Sequence, residues 1–196
     1  MHLRMQLILA TLALSGVAFA DDTFQVRYAS NLNIGDSVIN ITNTGATVAA
    51  GVSQNLCVNM YTFDPAEELI SCCSCSVTPN ALQSLSVLKS LISNTLTPAI
   101  PNSVVIKIVA STGLCNPSVI NNFAHGALAW GTTLHQNTST ATPTYAMTEG
   151  PFQFADLSAP ELMHITSTCG FIQSDGGGYG ICKGCAAGGL GAASAQ

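Results

Sequence analysis

The sequence predicts a mainly β protein: an antiparallel β-sandwich fastened by disulfide bonds and followed by one C-terminal helix. Three observations lead to this class. Several short segments alternate apolar and polar side chains, clusters of Gly, Pro, Asn and Asp separate them, and eight cysteines accompany a charged content of only 8%. Short alternating segments between regular turn signals are typical of all-β sandwiches.

Five segments alternate with the period of two that a half-buried strand requires. They are residues 23–29, 37–43, 55–63, 103–110 and, more weakly, 127–135. In the first segment, Phe24, Val26 and Tyr28 share one face. Gln25 and Arg27 lie on the opposite face, so the segment is expected to present one apolar and one polar surface.

The C-terminal helix is predicted over residues 158–172. Ser158 can cap its first turn, and Glu161 follows three residues later, which is the spacing of a capping box. Residues 82–96 fit both a strand near 85–88 and a helix. The interpretation favoured here is a strand followed by an irregular turn.

The first residues predict export. Residues 1–20 combine a basic start, an apolar run and an A-x-A site that ends at Ala20, which is typical of a secretory signal peptide. The alternative, a membrane anchor, is disfavoured because a spanning helix needs about 20 apolar residues. A single disulfide-stabilised domain (21–187) and a flexible glycine-rich tail (188–196) are expected to follow, with no later transmembrane segment. The predicted location is secreted, either periplasmic or extracellular.

Charge excludes one large class of function. After removal of residues 1–20, ten acidic and four basic side chains remain, a net charge of −6. Proteins that bind nucleic acid replace phosphate counterions with clustered Lys and Arg. Four scattered cations cannot do this, so no nucleic-acid partner is expected.

The cysteines predict four disulfides, because paired thiols oxidise in an exported chain. All eight are assigned to disulfides: Cys57, Cys72, Cys73, Cys75, Cys115, Cys169, Cys182 and Cys185. Cys72 and Cys73 are adjacent, so they are expected to reach different partners. The C-terminal cysteines are the natural partners of the 72–75 cluster, although eight cysteines allow 105 pairings and the sequence does not choose among them.

A metal site is the alternative for four of these residues. Cys72 with Cys75, and Cys182 with Cys185, form two C-x-x-C pairs that could together hold zinc in a tetrahedral site. The predicted compartment favours disulfides instead. The primary prediction is therefore no metal and no cofactor.

Candidate catalytic residues are few. The sequence contains no G-x-S-x-G or H-E-x-x-H motif. His125, His135 and His164 could bind a metal together with Glu161 or Asp156, but their spacing does not require it. The sequence favours a protein without enzymatic activity.

Two further groups of side chains have a functional and a structural interpretation. Asp64, Glu67 and Glu68 follow the strand that ends near residue 63, and a polar turn is favoured over a catalytic carboxylate pair. Trp130 and Tyr145 could form a sugar-binding platform, although an isolated Trp is more typical of a core.

The longest motifs resemble those of a group of exported bacterial proteins that share the signal peptide and the cysteine layout. The resemblance rests on "INITNTGA" (39–46), "LCVNMYTFDPAEELISCCSCSVTPN" (56–80) and "CGFIQSDGGGYGICKGC" (169–185). It implies export from a bacterial cell and no particular activity. "ITNTGA" is also similar to strand–turn segments of immunoglobulin-like extracellular modules, which implies an immunoglobulin-like sandwich.

These observations predict an exported structural or binding module of the cell envelope or the extracellular space, with an unknown protein or glycan partner. The alternative is a secreted metalloprotein or hydrolase that uses a histidine-based or four-cysteine metal site.

Overall fold

The computed structural model describes residues 23–46, 48–49, 52–139 and 141–185. The elements in this part of the chain are, in order, β1 (Phe24–Ala29), β2 (Val38–Asn43), β3 (Val48–Ala49), β4 (Val52–Ser53), β5 (Leu56–Phe63), β6 (Leu69–Val77), β7 (Leu82–Ser86), a π-helical turn (Val87–Leu91), β8 (Val104–Ser111), β9 (Ala127–Asn137), β10 (Thr144–Pro151), β11 (Gln153–Phe154) and α1 (Ala159–Ser174). The predicted mainly β class with one C-terminal helix is confirmed. The predicted signal peptide (1–20) and tail (188–196) lie outside the described residues.

The strands form two antiparallel sheets. The five-stranded sheet has the order β11-β1-β8-β5-β6, and the four-stranded sheet has the order β10-β9-β2-β7. β3 and β4 pair with each other as a short hairpin. The chain passes from the five-stranded sheet to the four-stranded sheet three times: between β1 and β2, between β6 and β7, and between β8 and β9.

The main core lies between the two sheets. Ile39 and Ile41 of β2 face Met60 of β5 and Ile106 and Ile108 of β8, and all five are fully buried. Burying an aliphatic side chain of this size stabilises a fold by about 1.5–3 kcal/mol. The alternation predicted for residues 37–43, 55–63 and 103–110 is therefore confirmed as the pattern that fills this core. The expectation of a half-buried strand at 55–63 is wrong, because β5 is buried on both faces.

A second core lies on the other side of the five-stranded sheet, under α1. Ile165, Cys169 and Ile172 of the helix pack against Tyr61 and Val109. The helix begins as predicted, because the Ser158 side chain accepts a hydrogen bond from Glu161 N at 3.3 Å. The molecule therefore has three layers: the helix, the five-stranded sheet and the four-stranded sheet.

This layering corrects the expectation for β1. Its polar face does not meet solvent: Gln25 is 1% exposed and donates from Nε2 to Ala127 O at 2.8 Å. Arg27 donates to Gly150 O at 2.7 Å. Burial lowers the pKa of the Arg27 guanidinium, and the charge of Glu149 acts in the opposite direction. The four-stranded sheet covers this polar face, and the core under α1 covers the face of Phe24 and Val26. Only Tyr28, near the end of the strand, is largely exposed.

Two long strands were absent from the sequence prediction. β6 consists largely of Ser and Cys, and its only β-branched residues, Ile70 and Val77, lie near its two ends, so its sequence gives little indication of a strand. β10 has no buried side chain, so its sequence lacks the apolar alternation that would indicate a strand. Residues 82–96 contain a strand followed by an irregular turn, as predicted, but the strand is β7 at Leu82–Ser86 and the π-helical turn begins at Val87, within the predicted strand 85–88. Within the described ranges, no helix is long and apolar enough to cross a membrane.

Candidate functional site

Three disulfides meet on β6. Successive side chains of a strand point to opposite faces, so Cys72 points to the helix side and Cys73 and Cys75 to the side of the main core. The described chain contains the pairs Cys57–Cys115, Cys72–Cys169, Cys73–Cys182 and Cys75–Cys185. Cys72 and Cys73 do reach different partners, and each cysteine of the 72–75 cluster pairs with a C-terminal one.

The backbone beyond α1 follows the disulfides onto β6. Cys72 N donates to Gly180 O at 2.8 Å, and Ile181 forms a parallel bridge with Cys72. Gly180 N donates in turn to Asn94 O at 2.7 Å. The disulfides of Cys73 and Cys75 and the hydrogen bond between Cys72 and Gly180 thus form a covalent and hydrogen-bonded seam between β6 and the C-terminal segment.

The sulfur atoms on the core side lie close together. The Sγ atoms of Cys73, Cys182 and Cys185 are all within 4.8 Å of one another, and those of Cys73 and Cys185 are 3.6 Å apart. The structure does not bring together the predicted zinc set, because Cys72 leaves β6 on the opposite face and pairs with Cys169. The thiolate is the form of cysteine that binds metals, so this group would hold an ion only after reduction.

A cleft with polar and aromatic walls lies at the C-terminal end of β5, where the strand ends at Phe63. It has a volume of about 310 Å³ and is lined by Phe63, Asp64, Glu67, Val105, Lys107, Glu161 and His164. The end of β5, the following turn, β8 and the first turns of α1 each contribute to it. Residues that are far apart in the sequence converge here because α1 crosses the five-stranded sheet.

Lys107 is the central cation of the cleft. Its Nζ lies 2.5 Å from Glu161 Oε1 and 4.5 Å from the centre of the Phe63 ring. The Phe63 ring in turn stacks on His164, with the ring centroids 6.2 Å apart. These contacts fix the side chains of the cleft relative to one another.

The acidic residues beside the cleft form the polar turn that the sequence favours. The Asp64 carboxylate accepts hydrogen bonds from Ala66 N at 2.9 Å and Glu68 N at 3.0 Å. Glu67 adopts a left-handed backbone conformation, with φ of 65°. The Asp64 carboxylate is therefore occupied by the turn, while Glu67 is exposed at the rim of the cleft.

The histidines lie on separate elements. His164 is on α1, His135 on β9, where it contacts Thr148 Oγ1 at 2.9 Å, and His125 in the loop before β9. Among the described residues, the group close enough to hold a metal ion consists of three cysteines and includes no histidine. Asp156 is exposed in the segment before α1.

Trp130 and Tyr145 share one surface. In the register of β9 and β10, Trp130 lies opposite Pro151 and Tyr145 lies opposite Gln136. Ala127 and Ala129 face the core, so the alternate position Trp130 faces away from it. Both aromatic residues therefore lie on the outer face of the four-stranded sheet, at different places along it.

Comparison with known proteins adds no relative: the chain matches no protein-family model, no curated protein and no solved structure.

Proposed function

We propose that this protein is an exported structural or binding module of the cell envelope or the extracellular space. The observation that carries the proposal is the convergence of three disulfides on β6, which joins the sheet both to α1 and to the segment beyond it. Disulfides persist in the periplasm and outside the cell, and reducing systems remove them in the cytosol. The residues that precede the domain, 1–20, act in this proposal as a cleaved bacterial signal peptide.

We further infer an immunoglobulin-like arrangement of the sandwich. The pair β1–β8 lies in one sheet and the pair β2–β9 in the other, and each pair is linked to the other by a crossing connection. Interlocked pairs of this kind support a Greek-key relationship to immunoglobulin-like sandwiches. The excursion through β5, β6 and β7 before β8 distinguishes this chain from the usual seven-stranded order.

A module is favoured over an enzyme because the polar groups of the cleft are engaged with one another. Lys107 is paired with Glu161, and Asp64 caps its own turn. General acid–base or nucleophilic catalysis needs a base within hydrogen-bond reach of the group that it activates. The cleft instead offers a fixed surface of Phe63, His164 and the rim residue Glu67, which suits recognition of a protein or glycan.

The second candidate is a secreted metalloprotein or hydrolase. The close sulfur atoms of Cys73, Cys182 and Cys185 favour it, since three thiolates at this distance could bind zinc. The position of His164 beside Glu161 in the cleft is the other observation in its favour.

The first experiment tests export. The full-length chain is expressed in a bacterial host, and the mass of the product is measured in the cytoplasm, the periplasm and the medium. We expect a product that begins at Asp21, outside the cytoplasm and without free thiols. A full-length, reduced protein confined to the cytoplasm would contradict the proposal.

The second experiment separates a module from a metalloenzyme. The exported protein, with its disulfides intact, is assayed for bound metal and against a panel of hydrolase substrates. His164→Gln is compared with His135→Gln, which changes an exposed histidine outside the cleft. We expect no bound ion and no turnover, and the same result after replacing His125, His135 and His164 together. An ion or a turnover that is lost in His164→Gln and retained in His135→Gln would establish the second candidate.

A further inference from the structure

The edges of the two sheets are covered to very different extents. At the β6 edge, backbone hydrogen bonds join Ile70 O to Leu96 N at 2.9 Å and Cys72 N to Gly180 O at 2.8 Å. β7 is flanked by the same C-terminal segment, where Gln83 Nε2 donates to Gly184 O at 3.3 Å. β11 is only two residues long. β10 is eight residues long and pairs, within the described chain, with β9 alone.

β10 lacks most of the features that keep an edge strand from pairing. Natural edges are protected by charges, particularly lysine, by proline, by bulges or by short length. β10 has one charged residue, Glu149, its one proline, Pro151, is its last residue, and it pairs with β9 without a register shift. Tyr145 and Met147 are 58% and 66% exposed. Arg27 occupies the carbonyl of Gly150, so the accessible stretch is residues 144–149.

We propose that β10 pairs antiparallel with β10 of a second copy of this chain, centred on Met147. The two four-stranded sheets then join into one sheet of eight strands around a two-fold axis. Tyr145, Met147 and Glu149 all lie on the outer face, opposite Gln136, Leu134 and Thr132 of β9. In a joined sheet, side chains on the outer face of one copy must lie opposite side chains on the outer face of the other copy. Because side chains alternate along a strand, this holds only when the two-fold axis passes through a residue and not between two residues.

In this register the single carboxylate of β10 meets a hydrogen-bond donor. With Met147 opposite its symmetry mate, Glu149 of each copy lies opposite Tyr145 of the other. The Tyr145 hydroxyl accepts a hydrogen bond from Gln136 at 3.4 Å and keeps its proton to donate to a carboxylate. The two Glu149 residues are four positions apart, about 14 Å at the rise of a strand. That exceeds the Debye length of about 8 Å at physiological salt, so their repulsion is screened.

A second copy fits this edge better than an unrelated peptide does, because a two-fold axis uses each complementary contact twice. Closed two-fold dimers are also the commonest assembly of soluble proteins, and their contact patch must be self-complementary. The single carboxylate and the Met147 contact satisfy that condition. The dimer would present the outer faces of both four-stranded sheets, including Trp130, on one surface.

The test measures the mass of the exported protein, with its disulfides intact, by sedimentation and light scattering over a wide concentration range. We expect wild type to form a dimer at the higher concentrations. Met147→Lys places two ammonium groups opposite each other and is expected to raise the dissociation constant by about tenfold or more. Met163→Lys is the matched control, since Met163 is 70% exposed on α1, away from the edge, and should leave the dimer unchanged.

A pair of charge substitutions tests the register itself. Tyr145→Glu puts a carboxylate opposite Glu149 and should weaken the dimer. Adding Glu149→Lys to it should restore the dimer, because each introduced carboxylate then faces an introduced ammonium. Melting temperatures of all variants confirm that they are folded. Wild type that stays monomeric at every concentration would overturn the proposal. The alternative partner of the β10 edge would then be an extended peptide of another protein. A dimer unaffected by Met147→Lys would overturn it as well.

Discussion

Cys72 and Cys73 are neighbours in β6, and their disulfides leave the strand on opposite faces. Cys72 is joined to Cys169 of α1, and Cys73 is joined to Cys182 in the segment beyond the helix. Two consecutive residues thereby fasten one strand to both the outer helix and the chain that returns across the sheet edge. The alternation of side chains along a strand makes this possible.

The disulfide to the helix is expected to contribute substantially to stability. Replacing Cys72 and Cys169 together by Ala should lower the free energy of unfolding by about 2–5 kcal/mol. Replacing Cys57 and Cys115 is the control. The sequence separations are 97 and 58 residues, and the chain-entropy model gives losses that differ by only about 0.5 kcal/mol. Urea unfolding monitored by circular dichroism measures both. A Cys72/Cys169 variant as stable as wild type would show that α1 is held by packing alone.

The seam between β6 and the C-terminal segment depends on a glycine. Gly180 has φ of 76°, and a Cβ there would lie 2.6 Å from Ile172 Cγ2. Gly180→Ala should therefore combine backbone strain of about 1–2 kcal/mol with an overpacking cost of about 1–3 kcal/mol. Gly178→Ala is the control, because Gly178 has φ of 73° and nothing within 4 Å of its Cβ position.

Thermal and urea unfolding of both glycine variants measure the difference. We expect Gly180→Ala to be clearly less stable than Gly178→Ala. Equal losses would mean that the contact between Gly180 and Ile172 does not constrain the segment.

The strands of the main core were predictable because their faces differ in polarity. Ile39 and Ile41 alternate with Asn40 and Thr42, and the structure buries the two isoleucines as expected. The helix was predictable because Ser158 and Glu161 mark its start. In each case the signal is local, carried by residues within a few positions of one another.

Features that depend on a third layer or on an edge were not predictable. As polar residues of an alternating strand, Gln25 and Arg27 indicate a solvent-exposed face. They point inward because the apolar face of β1 packs under α1, which leaves the polar face toward the four-stranded sheet. The cleft unites Phe63, Lys107 and Glu161 from three elements, so no spacing in the sequence indicates it. The sequence named His164 and Glu161 as candidates and did not indicate Lys107. Lys107 lies among the β-branched residues of the strand predicted over 103–110, and that pattern indicates no functional role.

Tyr61 should make stability sensitive to alkaline pH. The side chain is fully buried and donates to Pro117 O at 2.6 Å, and burial raises the pKa of its phenol above the usual value of 10.0. A raised pKa in the folded state means that this contribution is fully present below pH 10 and is lost as the pH rises toward the folded value. Tyr61→Phe should reduce that alkaline loss.

Tyr61→Phe also leaves the Pro117 carbonyl without its donor, which should cost about 1–3 kcal/mol at neutral pH. Urea unfolding of wild type and variant from neutral to alkaline pH measures both effects. The two proteins should differ most at neutral pH and converge above pH 10. A constant difference across the range would contradict the assignment to Tyr61.

The turn after β5 should depend on the acceptor oxygen of Asp64 and not on its charge. Asp64→Ala removes the acceptor for Ala66 N and Glu68 N and should lower the free energy of unfolding by about 1–2 kcal/mol. Asp64→Asn keeps an acceptor oxygen and should lose less. Thermal unfolding of the two variants distinguishes these outcomes, and equal losses would indicate that the carboxylate charge is what matters.

The most direct measurement is a disulfide map of the protein isolated from its native compartment, obtained by protease digestion and mass spectrometry with and without reductant. The predicted result is the four linkages Cys57–Cys115, Cys72–Cys169, Cys73–Cys182 and Cys75–Cys185, with no thiol available for labelling before reduction. Four or more free thiols that bind zinc would contradict the account of an exported, disulfide-fastened module and favour a metalloprotein.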